Sequence, residues 1–295
     1  MDISTLLAEN TAKIDVHLEN NLKTPEKELE TLYEAMRYSV LSGGKRIRPF
    51  LVMEFCRLFG GREEAAIPFA CAIEYVHTSS LIHDDMPCMD NDELRRGRPT
   101  NHVVFGEDIA LLAGDALITR GYEMASINDK TEPHIALAAT SMLLLEAGAV
   151  GMMGGQEIDL LSEGKKTDFA TLMKMHDKKT GALIRASCLL GTMAAGIIDK
   201  TDERYIAAEK YARGIGLAFQ IIDDILDVEG DAALLGKATH ADAALEKTTF
   251  LSFMSIDEAK AYAKTLTDEA ISAVEAFDGS EILIELANFL LTRKK

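Results

Sequence analysis

Two short runs rich in aspartate carry the chemistry that is most easily read from this sequence. The first, DDMPCMD, spans residues 84–90, and the second, DDILD, spans residues 223–227. Carboxylates packed this closely repel one another and resist burial unless a cation joins them. A hard divalent cation such as Mg2+ favours a few carboxylates together with the oxygens of a bound phosphate. The two runs therefore predict a site that holds a phosphorylated substrate through metal ions.

The spacing within each run decides which carboxylates can act together. Asp223 and Asp227 are four residues apart and share one face of a helix, whereas Asp224 lies about 100° away around it. Asp84 and Asp90 are six residues apart, a separation that a regular helix does not align, and Pro87 lies between them. A bulge or helix end there would return Asp90 to the side of Asp84. The alternative interpretation is an acidic helix terminus followed by a loop.

Two basic segments stand out in a chain whose net charge is -17. LRRGRPT at residues 94–100 follows the first acidic run, and its arginines either pair with those acids or grip phosphate oxygens. SGGKRIRP at residues 42–49 places a glycine pair before three cations, which is typical of phosphate binding but lacks the spacing of a nucleotide P-loop. Its alternative is plain surface charge. Together the segments suggest a second phosphate group, separate from the one under the metals.

The elements that position these groups are predicted to be helices, and the predicted fold class is all-α. Long segments rich in Ala, Leu and Met have helical spacing, and no useful run of alternating β-branched residues occurs. Segments 63–83, 135–155 and 182–198 are apolar nearly all round, so we expect them in the middle of a large bundle around an active-site cavity. No linker divides the chain, which favours one domain over residues 1–295. The predicted helices lie near 4–20, 26–41, 47–59, 63–83, 105–127, 133–161, 168–198, 202–227, 256–276 and 280–292.

The amino-acid composition limits which binding partners and which cellular compartment are expected. The acidic surface argues against non-specific binding of nucleic acid, which needs clustered Lys and Arg. The four cysteines show no CxxC pairing and are expected to be reduced thiols. The start of the chain lacks the basic region and apolar run of a signal peptide, and the apolar stretch 135–155 is broken by polar residues and glycines. We therefore expect a cytoplasmic protein without stable membrane insertion.

Taken in order, these motifs resemble the trans-type (E-type) isoprenyl diphosphate synthases, the family of farnesyl and geranylgeranyl diphosphate synthases. The resemblance runs from about residue 30 to the C-terminus. The insertion of two residues in the first acidic motif is similar to the bacterial and plant branch, and the implied fold is an isoprenoid synthase-like bundle. The matching features are GGKRIRP at 43–49, His77, DDxxxxD at 84–90, RRGRPT at 95–100, GGQ at 154–156, KTG at 179–181, FQ at 219–220 and DDxxD at 223–227.

The resemblance also implies roles for individual residues. Three Mg2+ ions would clamp the diphosphate of an allylic substrate, and isopentenyl diphosphate would be the second substrate. The implied metal ligands are Asp84, Asp85 and Asp90 for two ions, and Asp223, supported by Asp224 and Asp227, for the third. The implied cations on the allylic diphosphate are Arg95, Lys179 and Lys237. The implied groups on the isopentenyl diphosphate are Gly44, Lys45, Arg48, His77 and Arg96.

The implied reaction is ionisation, condensation and elimination. Metal ions and cations stabilise the departing diphosphate, and the allylic carbocation then needs a dry apolar cavity. Lys179, Thr180 and Gln220 resemble the residues whose oxygens face that cation. The isopentenyl double bond attacks it, and the leaving diphosphate is the expected base for the proton that is lost.

Product length is predicted from the residues one turn before the first motif. In this family a large aromatic at the position of Ser79 often floors the pocket and limits the product to farnesyl. Ser79 and Ser80 are both small, which favours a C20 product, with C15 as the close alternative. A floor could instead come from the facing helix near Leu117 or Tyr122. A homodimer is implied by the resemblance alone.

Two other classes of protein share parts of this pattern. Class I terpene cyclases and squalene-type synthases also use aspartate-rich metal motifs in helical bundles, but they need no isopentenyl diphosphate site. The basic runs GKRIR at 44–48 and RR at 95–96 supply that site here. A non-catalytic subunit of a heteromeric prenyl synthase should have lost part of the metal motifs, and both motifs are intact. The sequence therefore favours a catalytic synthase.

Overall fold

The structure is a computed structural model that describes residues 2–234 and 248–293. The described residues form helices with almost no strand, so the all-α prediction is confirmed. The helices are α1 (Ile3–Asn20), α2 (Glu30–Val40), α3 (Ile47–Leu58), α4 (Glu63–Asp84), α5 (Asn101–Phe105), α6 (Glu107–Ser126), α7 (Pro133–Ala147), α8 (Met152–Ser162), α9 (Phe169–His176), α10 (Ala182–Ala194), α11 (Glu203–Leu234), α12 (Ile256–Val274) and α13 (Glu281–Thr292). A π-helix spans Asp177–Gly181, and short 3-10 helices span Lys27–Leu29 and Phe250–Ser252.

The chain divides into two compact units. Unit 1 comprises Met1–Leu143 and Leu190–Ile198, and unit 2 comprises Leu144–Leu189 and Asp199–Lys295. The first acidic motif and both basic segments belong to unit 1, whereas the second acidic motif belongs to unit 2. The single domain expected over residues 1–295 stays a prediction.

The core of unit 1 is built on α4, the helix that ends at the first acidic motif. Its side chains are buried on every face, as the lack of a polar stripe in the sequence predicts. Phe69, Ile73 and Val76 of α4 are fully buried, and so are Ala113 and Leu117 of α6. Burial on all sides fixes the position and direction of α4, and therefore of the acids at its C-terminal end.

A buried arginine fixes the loop between α2 and α3. Arg46 is 4% exposed and takes the left-handed backbone conformation at φ 48°. Its Nε donates to Asp15 at 2.8 Å, its Nη1 to Glu74 at 2.6 Å and its Nη2 to the Val40 carbonyl at 2.6 Å. A buried charge is tolerated only when it is paired and hydrogen-bonded in this way. The loop that carries the basic run at 42–49 is thus anchored from inside unit 1.

The structure contains a short β-hairpin, with strands of two residues each, that the sequence did not predict. Strand β1 (Leu94–Arg95) pairs antiparallel with β2 (Arg98–Pro99). The two turn residues, Arg96 at φ 53° and Gly97 at φ 75°, both have positive φ, as a type I′ turn requires. The hairpin is held on α2, because Tyr38 Oη donates to the Pro99 carbonyl at 2.7 Å and the Arg98 guanidinium lies 4.5 Å from the Tyr38 ring centroid. This turn therefore determines the positions of the arginines in the basic segment at residues 94–100.

The core of unit 2 joins α9, α11, α12 and the segment at Phe250. Ile221, Ile222 and Ile225 of α11 are buried against Leu172 and Phe250 in this cluster. The segment predicted as one helix over 168–198 is interrupted by the π-helix, which carries the KTG motif. π-helical turns are rare and occur frequently at functional sites.

The expectation that residues 135–155 form a centrally buried helix is wrong. The stretch breaks after Ala147, and α7 buries only one side. Ile135, Ala139 and Leu143 are buried, whereas Leu137 is 71% exposed and Leu145 is 57% exposed. The sequence could not reveal this, because a helix that is apolar all round does not show which face lacks a partner.

Two stretches of the described chain are long and apolar enough to cross a membrane by length and composition alone. They are Glu63–Asp84 and Pro133–Ser162, with 72% and 44% of their most apolar windows buried. Core helices pass the same test, and α4 is such a helix. The absence of membrane insertion stays a prediction.

Candidate active site

The first acidic motif is shaped by the end of α4. The helix ends at Asp84, and the following loop turns back so that the backbone N–H of Asp90 donates to the Asp84 carbonyl at 2.9 Å. Pro87 is exposed within this loop, where its missing N–H is harmless. Asp84 is partly buried and Asp90 is exposed. The loop thus returns Asp90 to the end of the helix despite the six-residue spacing.

Asp85 of the same motif forms an ion pair with an arginine. The Arg95 Nε lies 2.8 Å from both oxygens of Asp85, and its Nη2 lies 2.5 Å from Oδ1. Asp85 is only 3% exposed, and its hydrogen bonds hold the pKa of Arg95 above its usual value. In this structure Asp85 fixes the hairpin, and the metal-ligand role that the resemblance implies for it stays a prediction.

In unit 1 the guanidinium groups of Arg48 and Arg96 lie close to His77. The Arg48 Nη1 lies 3.3 Å from His77 Nε2, and burial together with Arg48 and Arg96 holds the pKa of His77 well below its usual value. The imidazole is therefore neutral. The Nε of Arg48 is buried and has no hydrogen-bond partner among the described residues. Clustered guanidiniums with an unpaired buried donor suit a bound anion, which supports the isopentenyl diphosphate site expected here.

Gly44 lets Arg96 lie against the basic loop. A guanidinium N–H of Arg96 donates to the Gly43 carbonyl, and a Cβ at Gly44 would come within 2.8 Å of Arg96 Nη1. Gly44 also has φ +131°, which side chains rarely allow. The glycine pair therefore brings this arginine to the loop, and the neighbouring Lys45 is exposed.

In unit 2 the KTG motif lies on the π-helix, and its lysine has an acidic partner. The Lys179 Nζ lies 2.6 Å from Asp159 Oδ2, and Asp159 is 6% exposed on α8. The sequence assigned Asp159 no role. The available signal was an acid between two apolar residues, Ile158 and Leu160, since an acid at such a position is usually paired when it is buried. Asp159 positions the Lys179 ammonium.

Thr180, Gln220 and Asp224 form a hydrogen-bonded series in unit 2. The Thr180 hydroxyl donates to Gln220 Oε1 at 3.0 Å, and the Gln220 side chain is hydrogen-bonded to Asp224. The backbone N–H of Phe250 donates to Asp224 Oδ2 at 2.9 Å. Asp224 is 8% exposed, and burial raises its pKa to about 6. In this structure Asp224 orients Gln220, and the supporting metal role expected from the resemblance stays a prediction.

The remaining acids of the second motif have different surroundings. Asp223 accepts a hydrogen bond from Arg293, whose guanidinium also lies 3.7 Å from the Phe219 ring centroid. Asp227 is exposed. Sequence reasoning missed Arg293, although it opens the basic run that ends the chain. Lys237, the other cation expected on the allylic diphosphate, lies outside the described residues.

Ser79 and Ser80 lie one turn before the first motif, as the sequence requires. Ser79 is 1% exposed, and its hydroxyl donates to the Val76 carbonyl at 2.7 Å. Ser80 is partly buried, and its hydroxyl donates to the His77 carbonyl at 2.8 Å. Both hydroxyls are satisfied by their own helix, so small size is what these side chains contribute.

Helix α6 packs along α4 in the opposite direction. Gly114 lies against the His83 imidazole, and Gly121 lies against Val76. Leu117, midway between these glycines, therefore faces the turn of α4 that holds the two serines, and it is fully buried. The structure thus supports the expectation that α6 contributes near this turn.

The carboxylates fit a hard cation without forming a ready-made cage. Over residues 2–234 and 248–293, no three His, Cys, Asp or Glu side chains are gathered as a preformed metal cluster. Mg2+ is usually held by one or two carboxylates together with substrate phosphates, so such a cluster is not required. The oxygen donors of Asp84, Asp90, Asp223 and Asp227 have the chemistry that this ion prefers.

The fold and these charged groups define a class, a helical enzyme that acts on diphosphates. The family model for polyprenyl synthetases matches residues 29–283. A geranylgeranyl diphosphate synthase of Cyanophora paradoxa is 44% identical, over 92% of this chain and 91% of that protein. A dimethylallyltranstransferase of Fischerella ambigua is 44% identical, over 97% of this chain and 82% of that protein. The crystal structure of an FPP/GFPP synthase from Zymomonas mobilis superimposes with a TM-score of 0.87 at 37% identity, covering 98% of this chain and 99% of that one.

The chain belongs to the polyprenyl synthetase family and is a prenyltransferase of the trans-isoprenyl diphosphate synthase type. The resemblance inferred from the motifs is confirmed. Members of this family use diphosphate substrates and are generally Mg2+-dependent.

Replacing Gly44 with alanine is expected to weaken use of isopentenyl diphosphate by displacing Arg96. The loss of one hydrogen bond to a charged group, about 1.5 kcal/mol, corresponds to a rise in KM for this substrate of about tenfold. Steady-state kinetics with varied isopentenyl diphosphate would measure it. Gly43→Ala is the matched control, because Gly43 also has positive φ but a Cβ there meets nothing within 4 Å. Equal increases in both variants would contradict the role given to Arg96.

Replacing Asp224 with asparagine is expected to reduce the pH dependence of stability in metal-free protein. Folding raises the pKa of this carboxyl from 3.8 to about 6, so the folded state binds the proton more tightly. The cost of this group to the folded state therefore grows as pH rises from about 4 to about 6, stays constant above 6 and disappears below 4. Two pKa units correspond to about 3 kcal/mol. Melting temperatures in EDTA between pH 4.5 and 7.5 would show it, and parallel curves for the two proteins would contradict it.

Proposed function

We propose that this protein condenses isopentenyl diphosphate with dimethylallyl, geranyl and farnesyl diphosphates and releases geranylgeranyl diphosphate. The observation that carries the product length is the small, buried Ser79 one turn before the first acidic motif. The relative from Cyanophora paradoxa, named a geranylgeranyl diphosphate synthase, supports it. A C15 product is the second candidate, since the fully buried Leu117 faces the same turn and would floor a shorter pocket.

Ionisation of the allylic substrate is assigned to the acidic motifs and the π-helix. Three Mg2+ ions would be held by Asp84 and Asp90 from the first motif and by Asp223, with Asp227, from the second. When bound, the ions neutralise charge on the departing diphosphate. Lys179 adds a further positive charge, and its ion pair with Asp159 holds the ammonium at one place on the π-helix.

Condensation is assigned to two further sets of residues. Arg48, Arg96 and the neutral His77 hold the diphosphate of isopentenyl diphosphate. The oxygens of Thr180 and Gln220 stabilise the allylic carbocation, and Asp224 keeps the Gln220 amide in one orientation. The isopentenyl double bond attacks this cation, a C–C bond forms, and a proton passes to the leaving diphosphate. The surrounding side chains must exclude water, because water would quench the cation.

Turnover of isopentenyl diphosphate with each of the three allylic diphosphates tests this function. Chromatography of the products is expected to show a C20 compound, formed only with Mg2+ and restored when Mg2+ replaces EDTA. A sole C15 product would exclude the C20 assignment and leave Leu117 as the floor. No turnover with any allylic diphosphate would contradict the function itself.

Ser79→Phe is expected to shift the main product from C20 to C15. The phenyl ring would fill the space below the first motif and stop chain growth one isoprene unit earlier. Product analysis measures this shift, and Ser79→Ala is the control, because it removes the hydroxyl without adding volume. An unchanged product distribution in Ser79→Phe would show that the floor lies elsewhere.

We further propose a cytoplasmic homodimer that uses the exposed face of α7. Leu137, Leu144 and Leu145 lie on one side of that helix and are 71%, 47% and 57% exposed. Monomeric soluble proteins rarely expose contiguous apolar patches larger than about a few hundred Å². Free thiols at the four cysteines support a reducing compartment.

The double substitution Leu137→Glu and Leu145→Glu is expected to convert a dimer to a monomer. Like charges brought together across a symmetric interface repel each other, and the apolar contact is lost. Size-exclusion chromatography with light scattering gives the mass, and circular dichroism checks that the helices remain. Val16→Glu, at an apolar residue of α1 that is 56% exposed, is the control. A monomeric native protein, or a variant that stays dimeric, would contradict the proposal.

A further inference from the structure

A cleft of about 710 Å³ lies within unit 2. Of the residues in the sequence motifs, only Gly181 of the KTG motif lines it. Its walls are α9, the π-helix, α11 and α12. The volume is in the range of small-molecule sites, about 300–1,000 Å³. None of the metal or diphosphate groups described above lines it. The cleft is therefore a second candidate ligand site in this unit.

The floor of the cleft is apolar. Met173, Leu217, Leu266 and Tyr262 line it, and all four are partly buried. Such side chains bury a hydrocarbon chain favourably, by about 25 cal/mol for each Å² removed from water. The floor thus fits a ligand with an aliphatic portion.

The rim of the cleft carries an excess of positive charge. Lys174, Lys210 and Arg213 line it together with two acids, Asp177 and Glu269. Arg213 bonds Glu209 and Asp177 bonds Arg185, which leaves two cations, Lys174 and Lys210, against one acid, Glu269, as the rim charges without an ion pair among the described residues. In a chain of net charge -17, two unpaired ammonium groups beside an apolar floor select an anionic head group.

The cleft touches the π-helix from the side of α11. Gly181, the last residue of the π-helix, lines the cleft. The Gly181 Cα would lie only 3.4 Å from a Cβ at Gly216, so α11 packs directly on this turn. Lys179 and Thr180 lie on the same turn. A ligand in the cleft would therefore contact the element that carries these two proposed active-site residues.

We propose that this cleft is a regulatory site for a single-chain amphipathic phosphate. The chain lies on Leu217, Leu266 and Tyr262, and the phosphate lies between Lys174 and Lys210. Occupancy restrains the π-helix and lowers the turnover number, a consequence that rests on the proposed function. A long isoprenyl product of the enzyme and an alkyl phosphate of other origin share this chemistry.

The absence of tryptophan from the chain allows a direct binding test. Tyr262→Trp places a single reporter in the cleft, and Phe253→Trp places one at an exposed aromatic of unit 2 outside it. Dodecyl phosphate below its micelle concentration is expected to give a saturable change in emission only in Tyr262→Trp. Adding Lys174→Glu and Lys210→Glu is expected to weaken binding at least tenfold. No saturable change, an equal change in Phe253→Trp, or binding unaffected by the two glutamates would overturn the site.

Steady-state turnover tests whether binding in the cleft regulates the enzyme. Dodecyl phosphate is expected to lower kcat without raising KM for the allylic substrate, and the Lys174→Glu, Lys210→Glu variant should keep its basal rate and resist the effect. If dodecyl phosphate inhibits competitively and still does so in the Lys174→Glu, Lys210→Glu variant, it binds in the active site. That result would overturn the proposal of a regulatory site. An inactive native enzyme would contradict the proposed function but leave the emission result intact. Tighter binding of geranylgeranyl diphosphate than of dodecyl phosphate to the Tyr262→Trp reporter would assign the site to the product.

Discussion

The pairing of functional charges with partners inside the chain is the interaction on which the rest of this structure depends. The helices that carry these charges are apolar, and an unpaired ion at their buried ends would cost several kcal/mol. Asp85 is paired with Arg95, Lys179 with Asp159, and Asp223 with Arg293. Each partner comes from a different element, so the first pair fixes the hairpin beside the first acidic motif, the second fixes the π-helix on α8, and the third holds Arg293 beside the second acidic motif.

The same constraint separates the members of each acidic motif. The resemblance assigns Asp223, Asp224 and Asp227 to one metal-binding set, whereas helical spacing and burial both separate Asp224 from the other two. Asp224 is buried, accepts the N–H of Phe250 and bonds Gln220, whereas Asp227 is exposed to incoming ligands. A buried acid with two internal hydrogen bonds holds the groups around it in place.

The proposed binding of the second diphosphate depends on backbone geometry as much as on charge. Arg46 and Arg96 both occupy the left-handed region, which few side chains adopt. Arg46 is held there by the buried Glu74 and Asp15, and Arg96 by the hairpin turn. The first fixes the loop and the second brings a guanidinium to it. Strain of this kind persists only where surrounding contacts determine it.

The sequence by itself determined the helical class, the acidic and basic motifs and the family, because periodicity and spacing are local properties of the chain. It did not reveal the hairpin, the π-helix, the exposed face of α7, or the partners of Asp159 and Asp223, and it left open whether the arginines after the first motif pair with its acids. Arg293 meets Asp223 across 70 residues and Phe250 meets Asp224 across 26. Only the tertiary structure decided these contacts, since burial is set by neighbours that are distant in the chain. The order of residues shows which side chains carry charge, and packing decides which of those charges must be paired.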